Sequence, residues 1–259
     1  MKRLYIFDID NTLRSSKQQK VLSQTIKLIK EIASNPDYVL GLATGRGPAK
    51  INVLNDLLPY FKYKVLVNGG VILENNKIIF DDPIDKRDID KVAQDTMNRG
   101  FSMGMVGYDE EAITFVDEHV SYAFKGYDTN KPKVDADFYL NHKVYQLWVF
   151  NKDQQVLLDL AKSYTNFKPY LWHYGGIDLV YPRVSKEHAV SIIKQKYPEH
   201  ELICVGDGHN DFGMIRLADK GVIMGNSRWL DEIKEEATFI APHIEDDKLY
   251  DFFKENNLI

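Results

Sequence analysis

Hydrophobic and polar positions follow two alternating patterns over the first 80 residues. Continuous apolar runs at 4–7, 38–43 and 65–67 predict short buried strands. Between these runs, apolar residues recur at helical spacing over 22–33, with Ser23 as the expected N-cap, and Pro48 is expected to begin a helix that runs to about residue 58. Strands that alternate with helices in this way are typical of a parallel, doubly wound sheet.

The pattern changes after the polar break at 81–83. A helix over 85–99 and strands over 102–106 and 112–116 are predicted first. A strand over 143–150, a helix over 153–164 and two strands joined near Gly175 are predicted later. Paired units of one helix and two strands predict an α+β sheet with helices on one face.

Alternating strands and helices return after residue 183. A helix is predicted to follow Ser185, and strands are predicted over 202–205, 222–224 and 238–240, before a last helix over 248–255. The predicted fold class is therefore α/β, with a doubly wound parallel-sheet, Rossmann-like core formed by residues 1–81 and 183–259. Residues 82–182 are expected to form an inserted α+β cap domain.

Acidic residues stand directly after two predicted core strands. Asp8 and Asp10 follow the first strand, and Asp207 and Asp211 follow the strand over 202–205. Carboxyl ends of parallel strands share one edge of the sheet, so these groups are expected to converge. Clustered carboxylates require a cation or a shared proton, and both suit phosphoryl transfer, with Asp8 as nucleophile and Asp10 as general acid and base. Taken alone, Asp8 and Asp10 are also typical of a solvated turn.

Two further junctions supply groups that bind anions. Thr44 and the amide of Gly45 lie at the end of the strand over 38–43, before a predicted helix, and Lys186 begins another helix. Asp207 is expected to bind Mg²⁺, with Asp211 either holding a metal-bound water or orienting Lys186. Each residue also has an ordinary interpretation: Thr44 as a helix cap, Lys186 as a solvated lysine and Asp211 as an acid in a first helical turn.

Composition excludes several classes of protein. The chain has 259 residues, of which 44% are hydrophobic, enough for a globular core, and its net charge of −5 argues against nucleic acid as a partner. The single cysteine, Cys204, fits a reducing compartment, and no stretch is long enough to span a membrane. We expect a cytoplasmic protein that is a monomer or homodimer and has no membrane partner.

The motifs together resemble the haloacid-dehalogenase (HAD) superfamily and, within it, the Cof-type (subclass IIB) hydrolases. The resemblance is carried, in the family's order, by six motifs: DIDNTL at 8–13, LATGR at 42–46, VNGG at 67–70, VSKEHAV at 184–190, GDGHND at 206–211 and MGNS at 224–227. Asn11 and Glu187 depart from the pattern, since each replaces a usual glycine.

The resemblance implies an aspartyl-phosphate mechanism with Asp8 as nucleophile and Asp10 as acid and base. It implies Mg²⁺ at Asp8, the Asp10 carbonyl and Asp207. The implied phosphate ligands are the Ile9 amide, Thr44, Gly45, Lys186 and Asn210.

Three functions remain open from the sequence. The first is a Mg²⁺-dependent phosphatase acting on small phosphorylated metabolites such as sugar phosphates, pyridoxal phosphate or FMN. The others are a phosphomutase and a non-enzymatic phospho-accepting signalling module. Residues expected to contact the leaving group are Trp172, His173 and Tyr174, with the segment 125–127, although core or surface positions in the cap are an alternative interpretation.

Overall fold

The computed structural model describes residues 1–126, 132–172 and 175–259. The described chain forms two compact units. The first unit contains residues 1–45, 51–80 and 185–259, and the second contains residues 46–50 and 81–184. The assignment of 1–81 with 183–259 as a catalytic core and of 82–182 as its cap stays a prediction.

The strands of the described chain are, in order, β1 (Arg3–Phe7), β2 (Arg14–Ser15), β3 (Lys20–Val21), β4 (Tyr38–Ala43), β5 (Tyr63–Leu66), β6 (Val71–Glu74), β7 (Lys77–Asp81), β8 (Met103–Val106), β9 (Glu111–Ile113), β10 (Lys133–Val134), β11 (Gln146–Phe150), β12 (Lys168–Leu171), β13 (Gly176–Val180), β14 (Glu201–Gly206), β15 (Lys220–Met224) and β16 (Phe239–Ala241).

The α-helices are α1 (Ser23–Ser34), α2 (Lys86–Asn98), α3 (Glu118–Ala123), α4 (Phe138–Asn141), α5 (Gln154–Ser163), α6 (Lys186–Gln195), α7 (Phe212–Leu217), α8 (Leu230–Ile233) and α9 (Leu249–Glu255). Shorter 3₁₀ segments include Val67–Gly69, His209–Asp211 and Ile244–Asp246. No helix in these described ranges combines the length and apolarity needed to cross a membrane.

The sheet of the first unit has the order β16-β15-β14-β1-β4-β5-β6-β7. β1 lies between β14 and β4 and is parallel to both, and every residue of β1 is buried. Phe7 lies opposite Val205 on β14 and Leu42 on β4, so the chain leaves all three strands at about the same level. The polar residues that follow these strands are thereby placed along one edge of the sheet.

Helices cover both faces of this sheet. On one face, Leu4 and Ile6 belong to a buried cluster with Ala189 and Ile193 of α6. On the other, the ring of Phe7 stacks 5.9 Å from that of Phe253 in α9. Successive side chains of β1 therefore point to opposite faces, and the continuous apolar run is explained by burial on both.

The second unit contains a sheet with the order β10-β9-β8-β11-β13-β12. Helices α2 and α5 contribute Ile89, Val92 and Leu157 to a core with Met103 and Leu147 of the sheet. This is an α+β arrangement inserted into an α/β unit, and the predicted fold class is confirmed.

Two local predictions are wrong. The segment Pro48–Tyr60 forms 3₁₀ turns interrupted at Asn55, whose φ is 47°, instead of one regular helix. Ser23 is the first residue of α1 and not its N-cap. The backbone amide of Gln24 instead donates to Asp247 Oδ1 at 2.9 Å, so a carboxylate far away in sequence satisfies this helix end.

Candidate active site

The predicted acidic residues converge at the carboxyl edge of the first unit's sheet. Asp8 directly follows β1, and its backbone amide donates to the carbonyl of Val205 on β14 at 2.9 Å. One carboxylate oxygen each from Asp8, Asp207 and Asp211 lies within 4.8 Å of the other two. Three acids within this distance repel one another unless positive charge lies among them.

Lys186 supplies part of that charge. It begins α6, whose N-cap Ser185 accepts a hydrogen bond from His188, and its side chain is only 1% exposed. Its Nζ lies 2.7 Å from Asp8 Oδ1 and 2.6 Å from Asp211 Oδ1. The interpretation of Lys186 as a solvated surface lysine is therefore wrong.

Asp211 contacts Lys186 through one carboxylate oxygen and the turn after β14 through the other. Its Oδ2 accepts hydrogen bonds from the backbone amides of Asp207 at 3.0 Å and Gly208 at 2.8 Å. A Cβ at position 206 would lie 2.4 Å from the Asp211 Cγ, so only glycine lets the carboxyl group pack this closely. Of the two roles expected for Asp211, these contacts favour the one in which it orients Lys186.

Burial and the neighbouring charges shift the pKa values of three groups in the cluster. Burial raises the pKa of Asp8 to about 7, with Asp211 and Asp10 adding to the increase while Lys186 opposes it. Burial, together with Asp8 and Asp211, raises the pKa of Asp207 well above its usual value. Burial would lower the pKa of Lys186, but Asp211 and Asp8 raise it above its ordinary value. One lysine thus leaves room for a further cation.

This donor set fits Mg²⁺. Magnesium prefers oxygen ligands and is commonly bound by one or two carboxylates, with waters or substrate phosphate completing the shell. Asp8 and Asp207 provide carboxylate oxygens within one small cluster. The pKa of each is raised first by burial and further by neighbouring carboxylates, and a divalent cation would relieve that repulsion.

Asp10 lies on a tight turn beside this cluster. The carbonyl of Ile9 accepts hydrogen bonds from the amides of Leu13 and Arg14, and Asn11 has a φ of 57°. Asparagine tolerates this left-handed conformation better than most residues, which explains how it replaces the usual glycine. Asp10 is half-buried, and its Oδ1 lies 3.9 Å from Nη1 of the buried Arg14, a neighbour that sequence reasoning missed.

The candidate phosphate ligands follow neighbouring strands of the same unit. Thr44 is buried at the end of β4, and its amide donates to Val65 at 2.9 Å. Asn210 Nδ2 donates to Asn68 Oδ1 at 2.8 Å, and a Cβ on Gly45 would lie 3.3 Å from Asn68 Nδ2. Asn68 thus connects two of the predicted ligands. Asn68 belongs to the VNGG motif and could have been singled out from the sequence. The motif alone does not indicate which residue Asn68 contacts.

The same motif packs directly against the start of α6. Gly69 has a φ of 108°, and a Cβ there would lie 2.4 Å from the carbonyl oxygen of Ser185. A side chain at this position would therefore displace the helix start that presents Lys186. The assignment of Ile9, Thr44, Gly45, Lys186 and Asn210 as phosphate ligands stays a prediction.

Glu187, the second departure from the family pattern, packs against α7. It is exposed, and a Cβ on Gly213 would lie 2.5 Å from its Oε2. The Glu187 side chain thus occupies the space left by a glycine on the neighbouring helix.

The residues predicted to select the substrate belong to the second unit. Trp172 is half-buried, packs edge-on against Trp148 at 5.4 Å and Phe150 at 5.7 Å, and donates its Nε1–H to Asp178. His173, Tyr174 and Tyr127 lie outside the described residues. A role of Trp172 in substrate binding stays a prediction.

Comparisons with known proteins identify a family and several relatives of this chain. The family model of haloacid dehalogenase-like hydrolases matches residues 5–253. A protein of Streptococcus pyogenes named as a bifunctional phosphatase/peptidyl-prolyl cis-trans isomerase is 27% identical over 99% of this chain and 54% of its own length. The 5-amino-6-(5-phospho-D-ribitylamino)uracil phosphatase YitU of Bacillus subtilis is 27% identical over 57% of each chain. The matches thus span little more than half the length of these two relatives.

Solved structures share the fold. The subclass IIB sugar phosphatase BT4131 superposes with a TM-score of 0.87 at 22% identity, covering 100% of both chains. The phosphatase BT1666 of Bacteroides thetaiotaomicron superposes with a TM-score of 0.88 at 20% identity, covering 100% of this chain and 96% of its own.

Proposed function

Since the chain belongs to the haloacid dehalogenase-like hydrolase family, we propose that it is a phosphatase that hydrolyses small phosphorylated metabolites through an aspartyl-phosphate intermediate. The observation that carries this proposal is the contact of Lys186 with both Asp8 and Asp211, inside a cluster of three carboxylates. A buried carboxylate held beside a fixed cation suits attack on an anionic phosphate, and the names of two relatives support the reaction class.

In the first half-reaction, a carboxylate oxygen of Asp8 attacks phosphorus. The bond between phosphorus and the leaving oxygen breaks, and Asp10 donates its proton to that oxygen. Lys186 holds the Asp8 carboxylate in place, since its Nζ lies 2.7 Å from Oδ1. The products of this step are the free alcohol, a phosphorylated Asp8 and an ionised Asp10.

In the second half-reaction, a water molecule attacks the phosphorus of the phosphorylated Asp8. Asp10 now accepts a proton from that water, and the bond between phosphorus and the Asp8 oxygen breaks. Inorganic phosphate leaves, and both aspartates return to their starting states.

Asp8, Asp207 and the Asp10 carbonyl would hold Mg²⁺, which would supply positive charge against the phosphate oxygens. Lys186, Thr44, Gly45, Ile9 and Asn210 donate hydrogen bonds to the phosphate in this proposal. Sugar phosphates, pyridoxal phosphate and FMN are the substrates to test first, and the second unit is proposed to act as the cap that chooses among them.

The test is release of inorganic phosphate from a panel of these esters by the purified protein with Mg²⁺. Asp8→Asn is expected to lower turnover by about 10⁴-fold or more, because the nucleophile is lost. Asp10→Asn is expected to lower it about 10²–10⁴-fold, the usual contribution of a general acid and base. Asp56→Asn removes an exposed acid of the same unit and serves as the matched control.

Two results would overturn the proposal. One is full activity in a folded Asp8→Asn protein or in metal-free buffer. The other is an isomerised sugar phosphate as product in place of free phosphate, which would identify a phosphomutase. A phosphorylated protein that persists for minutes to hours would instead favour a signalling module.

A further inference from the structure

The MGNS motif at 224–227 takes no part in the chemistry above, yet it connects the two loops that carry the acids. The motif begins at the last residue of β15, the strand next to β14. Asn226 and Ser227 are adjacent in the chain, and each donates a side-chain hydrogen bond to a backbone carbonyl in a different acidic loop.

Asn226 holds the loop after β1. Its Nδ2 donates to the carbonyl of Asn11 at 2.9 Å, across 215 residues of sequence. Its Oδ1 accepts from the amide of Ile244 at 2.8 Å. Because the amide oxygen is already engaged by a backbone N–H, the amide orientation is fixed with its NH₂ group towards Asn11.

Ser227 holds the loop after β14. Its Oγ donates to the carbonyl of Asp207 at 2.5 Å and accepts from the amide of Trp229 at 3.1 Å. The residue is 8% exposed, so these bonds compete little with water. The hydroxyl therefore has one acceptor and one donor partner, both supplied by the backbone.

We propose that Asn226 and Ser227 form a bracket that fixes the spacing between the Asp8–Asp10 turn and the Asp207 loop, and so positions the ligands of the divalent cation. This inference rests on the proposed function, because it assumes that Asp8 and Asp207 share one ion. Neither side chain touches the reacting atoms, so both are positioning residues.

The physical reason is the precision that a metal site requires. Ligand groups work only when they are held within about 0.5 Å of the required geometry, and contacts outside the ligand shell provide that restraint. Asp8 and Asp207 follow separate strands, β1 and β14, and are 199 residues apart in sequence. A pair of adjacent residues that holds both loops restrains their separation directly, whereas bonds within either loop restrain only its own shape.

The test measures Mg²⁺ affinity without substrate, from the Mg²⁺ dependence of the melting temperature of the full chain. Asn226→Ala and Ser227→Ala are each expected to raise the Mg²⁺ dissociation constant about 10-fold, within the range for lost outer contacts. Ser227→Thr keeps the hydroxyl and is expected to retain most of the affinity. The double variant is expected to lose less than the product of the two single losses, because one bracket acts as a unit.

Two matched controls remove the same kinds of bond elsewhere. Asn256→Ala removes an amide that donates to the carbonyl of Phe252 at 2.8 Å, and Ser34→Ala removes a hydroxyl that donates to Glu31 at 2.7 Å. Both are expected to keep the Mg²⁺ affinity of the unaltered chain. Melting temperatures in EDTA show how far each substitution affects the fold alone.

Unchanged Mg²⁺ affinity in folded Asn226→Ala and Ser227→Ala would overturn the inference, as would a strictly multiplicative loss in the double variant. If the variants lose Mg²⁺ affinity as expected but the unaltered chain releases no phosphate from any ester, the proposed function fails while the bracket stands. If it hydrolyses esters while the variants bind Mg²⁺ normally, only the bracket fails.

Discussion

Two buried lysines of the first unit show how differently the same residue type can be used. Lys186 contacts two carboxylates, Asp8 and Asp211, and these raise its pKa above the ordinary value despite burial. Lys64 on β5 is 3% exposed, and its Nζ donates to the carbonyl of Phe61 at 3.0 Å and to Asn76 Oδ1 at 2.8 Å. Burial lowers the pKa of Lys64, because both of these partners are neutral.

In the proposed function, this difference separates a reactive site from a structural one. The charge of Lys186 is balanced by acids that lie close to one another. Clusters of charged groups that shift one another's pKa values are typical of functional sites. The ammonium group of Lys64 donates hydrogen bonds to two neutral oxygen atoms. Burial of a cation is therefore a weak indicator of function, and the charge of its partners is the informative property.

Among the variants that test this comparison, the largest effect is expected from replacing each lysine by methionine, an uncharged, unbranched side chain that is one atom shorter. Lys186→Met should reduce phosphate release by at least about 10³-fold, since a charged group aimed at the reacting phosphate is lost. Lys64→Met should change it less than about 2-fold. Steady-state kinetics on the best substrate of the panel measure both. Similar losses of phosphate release in the two variants would show that the charge of a buried lysine's partners does not distinguish a functional lysine from a structural one.

The next effect concerns the acid that holds Lys186. Asp211→Asn keeps the size of the side chain but removes one of the two charges that face Lys186, and kcat/KM should fall roughly 10–100-fold, as for other lost supporting contacts. Asp219→Asn, on the loop before β15, is the control and should retain activity. Unaltered kinetics in a folded Asp211→Asn protein would show that Asp211 does not orient Lys186.

A smaller effect is expected in the way the free energy of unfolding depends on pH. The pKa of Lys64 is lower in the folded than in the unfolded protein, so the unfolded state binds more protons between the two values. The penalty for burying Lys64 is therefore complete below its folded pKa and disappears as the pH rises towards its ordinary value of 10.5. Lys64→Met should gain stability relative to the unaltered chain at neutral pH, and this gain should shrink towards pH 10.5.

Urea unfolding of both proteins across this pH range measures the difference. A difference that stays constant with pH would contradict the lowered pKa of Lys64. A difference that grows with pH would reverse the sign of the argument.

The smallest effect on activity is expected at Glu187, which lies next to Lys186 in sequence but packs against Gly213 of α7. Glu187→Gly restores the glycine usual in the family and should change kcat/KM less than about 2-fold. It should lower the free energy of unfolding by about 1 kcal/mol, the usual difference between glycine and other residues in a helix. A large change in kcat/KM would show that Glu187 acts on the site.

Most of the fold could be predicted from the sequence because the central strands are continuously apolar. Residues 4–7 and 202–205 can be buried on both faces only in a covered parallel sheet, and the fold class and the family were both confirmed. The start of α1 was predicted wrongly because Asp247, 223 residues away, satisfies its first turn. No local pattern contains that partner.

The site was predictable where its residues are the first polar groups after a strand. Asp8 and Asp207 stand at such positions, and the structure places their carboxylates in one cluster. The partners that support them were not predictable. Asn68 meets Asn210, and Asn226 meets Asn11, through contacts between segments far apart in the chain. Sequence spacing contains no information on such contacts until the strand order is known.

The most direct test of the central claim is a crystal structure of the protein grown with Mg²⁺. We expect one ion bound by carboxylate oxygens of both Asp8 and Asp207, at the distance of about 2.0–2.1 Å that is usual for magnesium. An ion bound elsewhere, with Asp8 and Asp207 both free of metal, would contradict the claim that these two acids form one phosphoryl-transfer site.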